Sequence, residues 1–276
     1  LSPATIAQIF SGYITNWDAP EIAVDNERVV KTPVYETKKV TTTNKGKKVT
    51  KTVPVLDKNG KPTILKYTES DVNPSLPNLP ITVWYRTDSS GTSENFTRFL
   101  KGANAAKNPD LWPKAQNTTF INGMPVNVST RFNFQGGSGS AAIAAGVASK
   151  PGSITYSELS YATDNKLKVA YVLNAAGEMV YPDSAGTSAF LGGGTINDNG
   201  TVSVDFVKAI KGAYPIGTTS YALAYASGKD AEKQKVVAEF LTYMLDKCPT
   251  KYPEKGFAQI TGSLYTKAKA QIAKIK

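Results

Sequence analysis

The 276 residues are 41% hydrophobic and carry no internal repeat, which suits one large domain or two small ones with a buried core and excludes global disorder. Histidine is absent and cysteine occurs once, as Cys248. Ser-His-Asp, Cys-His and His-ligated zinc chemistry are therefore excluded, and the longest apolar run, residues 141–148, is far short of the ~20 residues a membrane-spanning helix needs.

In chain order, Ser2-Pro3 reads as the N-cap and first residue of a helix that points Ile6, Ile9 and Phe10 to one side and stops at Gly12, with Trp17 packed beneath. A lysine-rich segment follows. Net charge is +10, and residues 31–66 hold ten lysines against Glu36 and Asp57, so +8 sits in this one segment. It is rich in Val, Thr and Tyr, and Asn44-Lys45-Gly46 and Lys58-Asn59-Gly60 are turn signals. It reads as two successive hairpins inserted at about residues 28–75. Lysine-rich strand edges resist pairing with other chains, and lysine without arginine or interleaved aromatics does not indicate nucleic acid. A polyanion- or surface-binding role is the alternative reading. Pro74, Pro77 and Pro80 return the chain to the body.

Residues 81–85 then read as a strand, 94–101 as a helix with Phe96, Phe99 and Leu100 inward, 126–134 as a second strand and 153–156 as a third. Residues 169–173 and 179–181 read as a hairpin around Ala175-Ala176-Gly177, and 219–226 as an apolar strand. Residues 231–245 form an amphipathic helix with Val236, Val237, Phe240, Leu241 and Met244 on its apolar side, and 264–275 a last basic helix. Alternating strands and helices indicate an α/β class.

Two loops carry chemistry. The first is Arg86-Thr87-Asp88-Ser89-Ser90-Gly91-Thr92, between a strand and a helix start. A helix N-terminus presents unpaired N–H groups and positive partial charge, so Ser90, Gly91 and Thr92 can aim amides and hydroxyls at one anion. The Arg86 guanidinium can grip two oxygens of a tetrahedral oxyanion. Asp88 should repel an anion unless that anion carries a proton for it to accept, which admits protonated phosphate and excludes sulfate. An aspartate helix cap paired with a surface arginine explains the same residues, and the loop alone leaves both readings open. The second loop, Gly137-Ser138-Gly139-Ser140-Ala141-Ala142, fits a loose G-x-G-x-x-A between a strand and a helix, with Glu158 where a ribose-binding acid could fall. Small residues for close helix–sheet packing account for it equally. There is no Walker A, S-x-x-K or G-x-S-x-G sequence.

With these loops in place, four ordered segments resemble the phosphate-binding proteins of Pst-type ABC transporters, which have a bilobal periplasmic-binding-protein fold of the second type. They are LSPATIAQIFSGYITNW at the start, ITVWYRTDSSGT, GGSGSAAIAAGVASKPGSITY and YPIGTTSYAL. The resemblance covers almost everything outside the lysine-rich insert. It implies a binding protein, not an enzyme, with no cofactor and no metal. The resemblance implies that Arg86, Asp88, Ser90, Gly91 and Thr92 hold inorganic phosphate, with Gly137 and Ser138 as neighbours of the site. It also implies an extracytoplasmic location, an ABC permease as partner and no nucleic acid. Residues 1–220 would then be the second lobe and 221–276 the return to the first. In the family a substantial stretch precedes the position of Leu1 and builds most of the first lobe, so a further segment or a second polypeptide is expected to complete it. Two other functions compete: a nucleotide-dependent oxidoreductase using the Gly137 loop, and a surface or adhesion protein acting through the lysine-rich insert.

Overall fold

The computed structural model describes residues 1–44, 47–58, 60–72, 75–228, 230–248 and 257–276. Predicted turn residues Lys45, Gly46 and Asn59, and also Pro74, lie outside them. The chain divides into two compact units, one of Leu1–Ile22 with Pro77–Lys276 and one of Ala23–Leu76.

Helix α1 (Pro3–Phe10) starts as its sequence dictates. The Ser2 hydroxyl accepts the Thr5 N–H at 3.2 Å, proline stands in the first turn, and Ile6, Ile9 and Phe10 are buried. Gly12 ends the helix in the left-handed region. Trp17 is half-buried and donates its indole N–H to the Gly152 carbonyl at 2.9 Å. Helix α2 (Pro20–Asn26) leads into the smaller unit.

That unit is a branched antiparallel ribbon. Strand β1 (Arg28–Tyr35) pairs with β4 (Ile64–Val72), and β2 (Thr37–Asn44) pairs with β3 (Lys47–Pro54). One residue, Glu36, separates β1 from β2, too few for a hairpin turn, so the two strands cannot fold back on each other as successive hairpins would require. The Glu36 N–H instead donates to the Thr63 carbonyl (2.8 Å), the Val55 N–H to Glu36 (2.8 Å) and the Thr63 N–H to Val55 (2.7 Å). Beyond this junction a short second arm closes at residues 57–61, where the Lys61 N–H donates to the Asp57 carboxylate at 2.9 Å. The predicted pair of hairpins is thus one stem with a long arm and a short arm.

In the larger unit, β5 (Thr82–Arg86) lies between β6 (Phe134–Gly137) and β7 (Ser153–Ile154), all parallel. Helix α3 (Gly91–Asn104) follows β5, with Phe96, Phe99 and Leu100 buried. The predicted strand at 126–134 is displaced. Asn127 accepts the Ser129 N–H at 3.0 Å and starts a short 3-10 turn, and the strand takes up residues expected to be loop. The reason is tertiary: β5 offers a ladder that pairs Val83 with Phe134 and, at its far end, Arg86 with Gly137. Helix α4 (Phe120–Gly123) supplies Phe120 to an aromatic core with Phe10, Phe96 and Tyr156. The Phe96 and Tyr156 rings stack at 4.6 Å, and Phe10 meets Phe96 edge-on at 4.6 Å. Helix α5 (Gly139–Ser149) lies on β5, and α6 (Leu159–Asp164) follows β7.

The hairpin of β8 (Val172–Leu173) and β9 (Met179–Val180), helix α7 (Ser184–Gly192) and the pair β10 (Thr195–Ile196) and β11 (Val202–Ser203) come next. Residues 219–226 are not a strand. No strand among the described residues lies alongside to take up their amides, and Leu223 is 97% exposed. Helix α8 (Ala231–Asp246) forms where predicted, and its Asp246 accepts bonds from Tyr265 and Lys269 of α9 (Gly262–Ile272) at 2.9 and 3.2 Å. Its apolar side is poorly covered: Val236, Phe240 and Met244 are exposed, and Val237 and Leu241 are half-buried.

Candidate functional site

Strands β5 and β6 end side by side, and each leads through a short loop into a helix. The N-termini of α3 and α5 therefore meet at the carboxyl ends of parallel strands, where open α/β sheets place their ligands. Arg86 is the last residue of β5, its side chain only 12% exposed. Its Nε donates to Asp88 Oδ1 at 2.7 Å, its Nη2 to Asp88 Oδ2, and its Nη1 to Ser140 Oγ at 2.9 Å. A guanidinium has five N–H groups, so one on each terminal nitrogen is left over.

Asp88 has a third donor. The Gly139 N–H, the first of α5, reaches Asp88 Oδ1 at 2.9 Å. Gly139 can turn its amide there because its φ of +81° lies in the left-handed region, which a side chain would strain. Hydrogen bonds from Arg86 first and Gly139 second hold the Asp88 carboxyl far below the usual carboxylate range, and the Asp88 bond raises the Arg86 guanidinium in turn.

Ser90 is buried and caps α3, accepting the N–H groups of Thr92 (3.1 Å) and Ser93 (3.3 Å). With both acceptor positions used, its own proton is the donor it can offer outward. Gly91, the first residue of α3, is exposed and has no intrahelical acceptor for its N–H. The Thr92 hydroxyl donates to Glu158 Oε1 at 2.8 Å. Burial works to raise the Glu158 carboxyl, but bonds from Ser140, its own backbone and Thr92 outweigh burial and hold it below its ordinary value. Beneath these groups the Tyr156 hydroxyl accepts the Arg86 N–H at 3.2 Å and bonds Ser93 Oγ at 2.8 Å. Burial pushes its pKa up to about 12, so it stays neutral and fixes the end of β5.

The structure thus brings Arg86, Asp88, Ser90, Gly91 and Thr92 together. Gly137 ends β6 beside Arg86, and Ser138 precedes α5 without a side-chain capping bond. Sequence reasoning assigned no site role to Ser140 or Tyr156 and considered Glu158 only as a ribose ligand. The signal for all three was present: a serine one residue into the helix after the glycine loop, and the Tyr-Ser-Glu that follows β7. The dinucleotide reading of the Gly137 loop fares badly. The N-terminus of α5 should bind pyrophosphate in that scheme, and here a carboxylate occupies it.

The sequence matches the family model described as PBP superfamily domain over residues 1–247. Among curated relatives it is similar to phosphate-binding protein PstS 3 of Mycobacterium leprae, 34% identical over 175 residues, which is 60% of this chain and 43% of the relative. It is likewise similar to phosphate-binding protein PstS of Xylella fastidiosa, 30% identical over 176 residues, 62% of this chain and 44% of the relative. The chain spans less than half the length of these relatives. Among solved structures it resembles a high-affinity periplasmic phosphate-binding protein, PfluDING, bound with phosphate (TM-score 0.57, 22% identity, 98% of this chain and 64% of the other). It also resembles a phosphate-binding protein from Stenotrophomonas maltophilia (TM-score 0.53, 19% identity, 98% and 64%). At these identities the structures speak for the fold, and with a family model matched over residues 1–247 of 276, the chain belongs to the PBP superfamily.

Proposed function

We propose that this protein captures inorganic phosphate and passes it to an ABC permease on the outer side of the cytoplasmic membrane, acting as a binder and not as an enzyme. The observation that carries this reading is Arg86, held rigidly where the N-termini of α3 and α5 converge, with two N–H groups still free. The similarity to proteins named for phosphate binding supports it. Among the described residues no helix is long and apolar enough to cross a membrane, which suits a protein that meets its permease from outside.

In this scheme the Arg86 N–H groups, the Gly91 amide and the Ser90 hydroxyl donate to phosphate oxygens. Asp88 acts through Arg86: it aims the guanidinium and anchors α5 rather than taking up ligand protons. Discrimination falls to Glu158. Because it holds the Thr92 proton, Thr92 Oγ1 faces the ligand as an acceptor, and an acceptor is satisfied by P–OH but not by sulfate. Residues 1–220 form the second lobe and 221–276 return to the first. The uncovered Val236 and Phe240 of α8 are the face on which further strands of the first lobe pack, from another segment or a second polypeptide.

Titration calorimetry with phosphate and sulfate tests the assignment. Replacing Arg86 with Gln removes a charged donor pair and should weaken phosphate by about 1.5–3 kcal/mol per bond lost, tenfold or more. An Arg86→Gln protein that binds phosphate as well as the parent would refute it.

A further inference from the structure

The charge of the small unit is not spread along its ribbon. In the stem, β1 and β4 carry residues of both signs, and the register sets Lys31 opposite Glu69. The short arm mixes Asp57 with Lys58 and Lys61. The long arm, residues 37–54, holds six lysines and no acid, and it also lacks arginine and any aromatic residue. Six of the ten lysines of the basic segment thus belong to the long arm, whose sequence holds no acid to neutralise them.

The register of β2 and β3 shows how they are displayed. Lys38 and Lys51 belong to neighbouring cross-strand pairs on one face, diagonal to each other, and diagonal neighbours are about 7–8 Å apart. Lys39 and Lys48 lie on the opposite face, which also carries Thr37, Thr41, Thr50 and Thr52. All eight side chains are exposed, and Thr41 and Thr50 bond each other at 2.8 Å. Like charges at such spacing repel, so clustering them on one arm costs stability that a bound anion would relieve.

We propose that the β2–β3 arm is a docking surface for a linear, phosphate-bearing polyanion. Charge complementarity names the sign of the partner. Display on both faces of a narrow ribbon suits a flexible chain that can follow it, whereas a bilayer meets one face only. The arm has no Trp, Tyr or Phe to seat in a membrane interface and none to stack nucleic-acid bases. Lysine ammonium groups bind phosphates as point charges, and the threonine hydroxyls add donors for phosphate oxygens.

The test uses the full 276-residue chain and inorganic polyphosphate, followed by fluorescence anisotropy, with excess inorganic phosphate present to occupy the site at Arg86. Binding should persist under that excess. With four lysines engaged it should weaken about 50-fold between 50 and 200 mM salt, as for single-stranded phosphodiesters. The variant with Lys38, Lys39, Lys48 and Lys51 all changed to Ala should lose at least tenfold, and the corresponding Lys→Arg variant should retain binding. Circular dichroism confirms that both variants are folded. Undiminished binding by the alanine variant, displacement of polyphosphate by inorganic phosphate, or binding to phosphatidylglycerol vesicles without binding to polyphosphate would each overturn the proposal. Displacement by inorganic phosphate would place polyphosphate at the Arg86 site, the other outcomes leave that site untouched, and calorimetry measures phosphate capture there separately.

Discussion

Replacing Asp88 with Asn separates the two parts its carboxylate plays in the structure. Asp88 accepts three hydrogen bonds, two from the Arg86 fork and one from the Gly139 amide. An amide keeps one oxygen acceptor and puts an NH2 group where the second oxygen stood, facing a donor of Arg86. At least one charge-assisted bond is lost, worth about 1.5–3 kcal/mol. Arg86 stays largely buried but is no longer aimed, so phosphate should bind roughly ten- to a hundredfold more weakly. Sulfate should lose less, because the variant also removes a negative charge beside the anion, and selectivity therefore shrinks. Calorimetry at pH 8 with both anions reads the two effects. Stability responds less, since Asp88 is a third exposed and solvent screens the pair. Its sign is fixed: the folded carboxyl is held below its unfolded value, near 3.9, so the stabilisation is complete above about pH 5 and fades as pH falls through the lowered value. The Asn variant should lack that part of the acid transition. Unchanged affinity and selectivity in Asp88→Asn would reduce Asp88 to a cap on α5 and refute the reasoning.

Two further outcomes follow from packing. A Cβ on Gly146 would stand 2.5 Å from the Trp84 ring, so Gly146→Ala should destabilise by about 1–3 kcal/mol and, by pushing α5 off β5, weaken phosphate as well; thermal melts and calorimetry check both. Val236→Ser with Phe240→Ser should lower the fluorescence of an apolar-surface dye while leaving the melting transition within about 0.5 kcal/mol, because both side chains are mostly exposed already.

The local parts of the fold were legible because local chemistry decides them. The Ser2 cap, the buried Ile6, Ile9 and Phe10 and the Gly177 turn each rest on residues within one turn of the chain, whereas α3, expected from Glu94, begins at Gly91 under a Ser90 cap. What failed depended on distant partners. Gln135-Gly136-Gly137 has poor strand propensity and becomes a strand only because β5 lies beside it, and residues 219–226 have good propensity and no strand partner among the described residues. The ribbon was misread because the turn signals were counted and the single-residue link at Glu36 was not. At the site, the Arg86 to Thr92 loop stood out by residue type. Ser140 and Glu158 reach it from 54 and 66 residues away, and only the parallel sheet order brings them there.

That arrangement sets how phosphate capture should respond to salt. Arg86 contributes one positive charge, and Asp88 and Glu158 contribute two negative ones. The two helix N-termini add roughly half a positive charge each, so the site is close to neutral before a ligand arrives. A dianion is then not drawn in by net charge. It must be held by short-range bonds from Arg86, Ser90 and Gly91, of which Arg86 and Ser90 are largely buried and poorly screened. Phosphate affinity at this site should therefore change less than about threefold between 50 and 200 mM salt, in contrast to the steep dependence expected of the lysine arm. Calorimetry across that range decides it. A steep fall would mean that capture relies on long-range attraction, with the lysines as its source, and the separation of the two surfaces would be wrong.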